Sequence, residues 1–301
     1  MKKFDVVTFG SAVIDIFVDT DVREKGKFMA YPVGSKILVR NMKFNIGGGG
    51  TNAAVAFSRL GLRTGYIGKL DADFGGRKIT EMLKRENIEF LGKMEKNPDI
   101  VGGYSIILDS RENDRTILTY KGVNDDVGFS DAEHDFKTKW FYVSSSIGES
   151  FRTVKRLAES MHKHGVKIAF NPSEYMIKNE NLKDFLKICD IISLNKEEAE
   201  LLTKKRDLLF GLHELGPRIV VITNKDKEIT AYDGIRKYEL VPHKIKIAER
   251  TGAGDAFASG FVAGQITGKS VEDSLRFGLE ESESVIKHRG AKIGLIRRKL
   301  K

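Results

Sequence analysis

Four short apolar runs, Trp140–Val143, Val166–Phe170, Ile191–Leu194 and Ile219–Thr223, punctuate the second half of the chain. Stretches with helical spacing at 150–164, 180–188, 196–203 and 206–215 separate or follow them. Runs this short and this apolar have no polar alternate to turn toward water, so they read as strands covered on both faces. Strands joined through helices lie parallel, because an antiparallel return needs only a tight turn. The alternation therefore predicts an α/β fold, a three-layer doubly wound and mostly parallel sheet. The first half supplies a strand at Phe4–Gly10 and a helix opening at Thr51-Asn52 and ending at Leu60-Gly61. A strand at 63–68 and a helix at 75–86 follow.

Two pairs of segments do not fit that texture. Residues 15–20 and 36–46 (Ile37, Val39, Met42, Phe44) alternate apolar and polar side chains, as half-exposed strands do. Gly103–Leu108 and Arg115–Tyr120 alternate likewise and flank a polar tip at 109–114, which reads as a hairpin. These segments predict a small separate β-sheet, a lid formed by approximately 15–46 and 100–121. With no Pro/Ser-rich linker and no repeat, residues 1–301 are expected to form one domain carrying that excursion.

Charge narrows the function classes. The 51 Lys and Arg against 42 Asp and Glu leave a formal charge of +9. A nucleic-acid binder would gather that charge into patches interleaved with aromatics. Here basic residues are scattered and often adjoin acids, as in Lys84-Arg85-Glu86 and Lys196-Glu197-Glu198. The expected surface is a solvated basic one, with no nucleic-acid partner; an acidic or phosphorylated small substrate is the alternative source of the bias. No run reaches the roughly 18 apolar residues of a membrane span. Asp5, Asp15 and Asp19 interrupt the stretch after Met1-Lys2-Lys3, unlike a signal peptide. A cytoplasmic protein is expected. The single cysteine, Cys189, lies in an apolar context and is expected to be buried and inert.

The segment Glu249-Arg250-Thr251-Gly252-Ala253-Gly254-Asp255 carries the strongest chemistry. It follows a strand-like Lys244–Ala248 and precedes a helix in which Ala256, Ser259, Gly260 and Ala263 are spaced for close packing. Gly-Ala-Gly lets backbone approach a ligand, and the free N–H groups of a helix start favour an anion. Asp255 is a poor neighbour for phosphate unless it is a base aimed at a hydroxyl being phosphorylated. The same residues also fit an ordinary strand–turn–helix junction in which an aspartate stabilises the helix dipole. Two look-alikes fail. Gly252-Ala253-Gly254 lacks the third glycine of a dinucleotide fingerprint, Phe257 standing there. Gly264–Ser270 has three residues between its glycines where a P-loop requires four.

A second segment, Asn45-Ile46-Gly47-Gly48-Gly49-Gly50-Thr51-Asn52, places a glycine run before a helix. It suits exposed backbone donors and hinge freedom beside a polyhydroxylated ligand, or is simply a flexible loop. Ser144-Ser145-Ser146 ends a core strand, where α/β sheets bind ligands. Arg115 and Lys121 flank the hairpin and face a phosphate, a carboxylate or solvent. His162 and His164 stand two apart and do not share a helix face.

In order and spacing, the two glycine segments resemble the two signatures of the ribokinase (PfkB) family. The resemblance covers nearly the whole chain. Gly10–Asp15 is similar to the family's first strand and substrate aspartate, and Asn195-Lys196-Glu197-Glu198 to its Asn-x-x-Glu motif. Val220–Thr223 matches the strand into its nucleotide loop, and Gly290-Ala291-Lys292 its late Gly-Ala turn. The resemblance implies a ribokinase-like fold and phosphoryl transfer from ATP, with Mg2+, to a hydroxyl of a sugar or sugar derivative. Asp255 would be the general base, and the Gly252, Ala253 and Gly254 amides the anion hole. Asp15, Gly48, Gly49 and Asn52 would hold the substrate. Asn195, Thr223, Lys225, Gly252 and Gly254 would contact the nucleotide. Glu198 would bear on Mg2+, partly through water, and Glu249 on a monovalent cation such as K+. Closure of the lid would expel water, and lids of this family sometimes pair into homodimers.

The departures are as informative. Val13 stands where ribokinases carry Asn, and Gly48-Gly49-Gly50 lacks their lysine, which leaves ribose open as the substrate. Glu249-Arg250 replaces Asp-Thr. Asn224–Glu228 lacks both glycines of the nucleotide loop, and Glu281 stands near where the resemblance would put adenine. Two other readings therefore stay beside a sugar kinase: a nucleoside kinase, and a catalytically silent sugar- or nucleotide-binding relative.

Overall fold

The computed structural model describes residues 1–26, 28–111 and 115–300; the end of the expected hairpin tip, 112–114, lies outside them. A nine-stranded sheet forms the centre. Its strands are β1 (Lys2–Phe9), β4 (Thr64–Ile67), β5 (Glu89–Phe90), β8 (Phe136–Ser144), β9 (Lys167–Asn171), β10 (Ile191–Asn195), β11 (Ile219–Thr223), β12 (Ile229–Tyr232) and β13 (Lys237–Leu240). They run in the order β13-β12-β11-β10-β9-β8-β1-β4-β5. All neighbours are parallel except β11–β12 and β12–β13.

Period-two side-chain alternation divides this sheet's contacts between two helical layers. Phe141 and Val143 of β8 join Phe9, Ile168 and Phe170 in a core with α3 (Gly148–Lys163), α4 (Glu174–Asn179), α5 (Lys183–Leu186), α6 (Lys196–Leu202) and α7 (Leu208–His213). Trp140 and Tyr142 face the other way, onto α1 (Gly49–Arg59), α8 (Ala253–Ile266) and α9 (Val271–Val285). This is the three-layer doubly wound arrangement expected from the sequence. The second helix, α2 (Phe74–Arg85), is capped by Asp73, whose carboxylate accepts from the Gly75 and Gly76 N–H groups. Its Ile79, Met82 and Leu83 close a third core with Ala54, Tyr66 and Leu70. Among the described residues no helix is long and apolar enough to cross a membrane. Cys189 is buried, and burial pushes its thiol far up.

A separate four-stranded sheet is built from β2 (Val13–Asp19), β3 (Asn41–Gly47), β6 (Gly103–Asp109) and β7 (Arg115–Tyr120), in the order β7-β6-β2-β3. The central β2–β6 pair is parallel and the outer pairs are antiparallel. Register aligns Asn45, Asp15, Ser105 and Thr119 in one row, and Phe44, Ile16, Ile106 and Leu118 in the next. Adjacent rows point to opposite faces. One face is polar around Asp15, while the other exposes Met42, Phe44, Ile106, Leu118 and Tyr120.

The structure corrects several element expectations. Lys244–Ala248 is not a strand. Its alternation lacks a partner, since the sheet ends at β13, and the Ala248 and Glu249 N–H groups bond instead to the Ile286 carbonyl. The strand expected over 36–46 begins only at Asn41. Of the helix expected over 180–188 only α5, Lys183–Leu186, forms; Glu180, in extended backbone, ends the preceding α4. Strands β12 and β13 extend the sheet beyond the expected set, joined through a turn in which the Asp233 carboxylate accepts from the Ile235 and Arg236 N–H groups.

Candidate active site

In a doubly wound sheet, ligands gather outside the carboxyl ends of the strands, where the strand order reverses. Here β8 and β4 leave β1 on opposite sides, and a cleft of about 340 Å³ opens beside that point. Its walls come from consecutive strand ends: Ser11 after β1, Ser144 closing β8, Asn171 closing β9, Asn195 closing β10 and Thr223 closing β11. The start of α8 completes it with Gly252, Gly254 and Asp255, and Gly49, Lys121 and Glu198 also line it. A larger groove of about 510 Å³ lies between α6, α7 and β12, lined by Lys196, Arg206, Asp207, Ile222 and Thr230. It contains none of the glycine-segment residues.

Gly252 precedes α8 with φ 81°, and a Cβ there would come within 2.4 Å of the Ala291 Cβ. Both backbone and space thus demand glycine, and the late Gly-Ala turn is what crowds it. A Cβ on Gly254 would meet nothing within 4 Å, so this residue opens toward the cleft. Asp255, in the first turn of α8, accepts a 2.7 Å hydrogen bond from Asn52 Nδ2. Burial raises its carboxyl above the ordinary aspartate range, while the Asn52 donor and the Lys292 charge pull it down.

The first glycine run serves packing more than hinge motion. Gly48 has φ 94°, and a Cβ on it would fall 2.4 Å from the Ser11 carbonyl oxygen. The Gly50 and Thr51 N–H groups bond to that same carbonyl, so part of the expected free donors are already used. A Cβ on Gly49 would lie 2.1 Å from Ser144 Oγ and 3.4 Å from Asp255 Oδ1, so its absence keeps the carboxylate approachable. Asp15 reaches the same region from β2, its carboxyl pushed up to about 6 by burial, against the pull of Lys292 and Ser105.

Asn195 and Glu198 form a reciprocal cap on α6. Asn195 Oδ1 accepts from the Glu198 N–H at 2.8 Å, and Glu198 Oε2 from the Asn195 N–H at 2.9 Å. Burial, then the Glu174 and Asp255 charges among the raising influences, lifts the Glu198 carboxyl. Among the described residues, no group of three His, Cys, Asp or Glu could hold a metal by itself. Mg2+ usually keeps several waters and takes one or two carboxylates plus substrate phosphates. Glu198 fits such a role.

Three residues singled out in the sequence are not part of the cleft lining. The Lys225 amine lies 2.7 Å from Glu197 in a surface groove that shares no lining residue with the cleft. Its backbone is in the left-handed region, at φ 51°. Glu249 does not fit a monovalent cation: Oε1 accepts from Arg115 Nη1 at 3.2 Å and Oε2 from the Gly290 N–H at 2.9 Å. A guanidinium already supplies the positive charge. Glu281 does not approach the cleft; it is fully buried against Gly260, with Oε2 accepting from the Ile296 N–H.

One residue escaped the sequence reading as a functional group. Lys292 Nζ donates to the Ile46 carbonyl at 2.8 Å, to Thr51 Oγ1 at 3.1 Å and to Asn52 Oδ1. Its only sequence signal was its position after Gly290-Ala291.

Known proteins resemble this chain over nearly its whole length. The model of the pfkB family carbohydrate kinases matches residues 3–297. The 5-dehydro-2-deoxygluconokinase of Clostridium perfringens is 30% identical, over 92% of this chain and 85% of that protein. The ribokinase of Bacillus subtilis is 27% identical, over 97% of this chain and 96% of that protein. The adenosine kinase structure from Sinorhizobium meliloti superposes with a TM-score of 0.80 at 21% identity, over 96% of this chain and 95% of that one, a likeness of fold.

Proposed function

The chain belongs to the pfkB family of carbohydrate kinases, and we propose that it transfers the terminal phosphoryl group of ATP to a hydroxyl of a sugar or sugar derivative, with Asp255 as general base. The observation that carries this reading is the pairing, at one helix start, of backbone donors with a carboxylate held by Asn52. A hydroxyl lodged beside Asp255 loses its proton to the carboxylate as the new P–O bond forms. The Gly252, Ala253 and Gly254 amides at the positive end of α8 meet the charge that spreads over the transferring group. Asp15 and Asn52 hold neighbouring hydroxyls, with Gly49 leaving Asp255 approachable and Gly48 fixing the turn against Ser11. Asn195 and Thr223 lie on the nucleotide side. Glu198 would hold Mg2+, directly or through water, and the bound ion would neutralise the phosphate oxygens. In this reading the four-stranded sheet acts as a lid over the cleft, excluding water that would otherwise take the phosphoryl group.

Cleft chemistry favours a sugar over a nucleoside. Its described lining is Ser, Asn, Thr, Gly, Lys, Glu and Asp with Pro172 and Leu194, and includes no aromatic ring on which a base would stack. The retained Asp255 and Glu198 argue against a silent relative. The exposed apolar face of the four-stranded sheet supports pairing of two copies there, which sedimentation velocity tests directly.

The deciding assay is ATP consumption with Mg2+ against free sugars, sugar acids, sugar phosphates and nucleosides, with Asp255→Asn alongside. Turnover on one class is expected to fall by about 10²–10⁴-fold in the variant. Near-normal turnover by Asp255→Asn would remove the proposed base, and turnover on nucleosides alone would replace the sugar reading.

A further inference from the structure

Lys292 is 9% exposed, and a buried ammonium is costly unless every hydrogen finds an acceptor. Its three hydrogens meet three acceptors: the Ile46 carbonyl, Thr51 Oγ1 and Asn52 Oδ1. The third contact has the larger consequence. An amide has an accepting end and a donating end. With Oδ1 committed to Lys292, Nδ2 is turned to Asp255 and donates to Oδ2 at 2.7 Å. A reversed amide would set its oxygen against the carboxylate and its NH2 against the ammonium. The C-terminal turn therefore decides which end of an α1 side chain the α8 carboxylate meets.

Charge acts in the same direction. Asp15 of β2, Asp255 of α8, Arg59 of α1 and Glu86 after α2 face Lys292. Asp255 in turn faces Asn52, Lys292 and the Tyr142 hydroxyl of β8, with the Asp15 and Glu198 carboxylates beyond. Among the described residues, Lys292 is the cation whose charge acts on the Asp255 carboxyl, while Lys121 also lines the cleft.

We infer that Lys292 is a positioning residue for phosphoryl transfer, which through Asn52 orients the Asp255 carboxylate and keeps it ionised. This rests on the reading of Asp255 as base. Burial raises the Asp255 carboxyl, and the Lys292 charge opposes that rise. Burial also draws Lys292 itself down to about 7, while Asp15 and Asp255 hold it up.

The test is a carboxyl-¹³C NMR titration of the protein labelled at aspartate, in wild type, Lys292→Gln and Lys292→Met. The Asp255 resonance is identified by its loss in Asp255→Asn. In Lys292→Met the Asp255 midpoint is expected to rise by about one pH unit or more. That means roughly tenfold less carboxylate at a given pH below the midpoint. In Lys292→Gln, which keeps a donor for Asn52, a smaller rise is expected. With whichever panel substrate turns over, the acidic limb of kcat should move in parallel while KM for ATP holds. An unmoved midpoint in folded Lys292→Gln, beside an inactive Asp255→Asn, overturns the role of Lys292 and leaves the base intact. A raised midpoint beside an active Asp255→Asn overturns the base, and with it the catalytic meaning of the contact. Should neither lysine variant fold, the wild-type protein decides. Its Asn52 side-chain amide resonance is expected to move as Lys292 ionises, and a flat response overturns the inference.

Discussion

Along β8 of the nine-stranded sheet, Trp140, Phe141, Tyr142 and Val143 are all buried, whichever face they point to. Along β6 and β7 of the four-stranded sheet, one face turns Ser105 and Thr119 toward the row of Asp15, while the other leaves Ile106, Leu118 and Tyr120 in solvent. Both sheets obey the same period of two. What differs is the number of covered faces, and that separates their work. The large sheet, sealed by helices, stabilises the fold and fixes the strand ends at the cleft. The small sheet leaves one face bare and carries Asp15 on the other, so it is expected to contribute less to stability.

Three substitutions break or sharpen this contrast. The largest effect is expected at Phe170, 1% exposed in β9 with the Phe185 ring 4.9 Å away. Phe170→Ala should cost about 3–5 kcal/mol through lost burial and an unfilled cavity, read from urea denaturation. A loss below about 1 kcal/mol would mean that the large sheet is not the stabilising one.

An intermediate effect is expected from Glu281, buried in the helical layer on the large sheet. Its Oε1 has no hydrogen-bond partner in the described structure. Burial pushes the carboxyl from 4.5 up to about 7. Because the folded value is the higher one, the contribution to stability is fully present below the unfolded pKa and is lost as pH rises through about 7. From pH 5 to 8 the wild type should therefore lose about 1–3 kcal/mol relative to Glu281→Gln. A gap between the two proteins that stays constant across that range would refute the assignment.

The smallest effect belongs to the outer face of the small sheet. Leu118 is 53% exposed, and in dilute protein Leu118→Ser should change stability by no more than about 0.5 kcal/mol. A thermal or urea shift several times larger would show that this face is covered in solution, and the contrast between the sheets would need redrawing.

Much of this organisation was legible because it is written locally. Short apolar runs announce doubly covered strands, whereas Asn195 and Glu198 stand out through the motif resemblance and show their reciprocal cap only in the structure. Asp15 and Asp255 were picked out by motif, and the structure brings both toward Asn52 and Lys292. Local pattern failed at Lys244–Ala248, where alternation had no neighbouring strand to pair with.

The sequence by itself determined the α/β class, the two strand textures and the motifs at the starts of α1 and α8, because each depends on side chains a few residues apart. Only the tertiary structure decided that Arg115 meets Glu249 across 134 positions and that Lys292 meets Asn52 across 240. Those contacts depend on where folding brings distant backbone together, and at Asp255 it is burial, the Asn52 donor and the Lys292 charge, all brought by the fold, that shift the carboxyl.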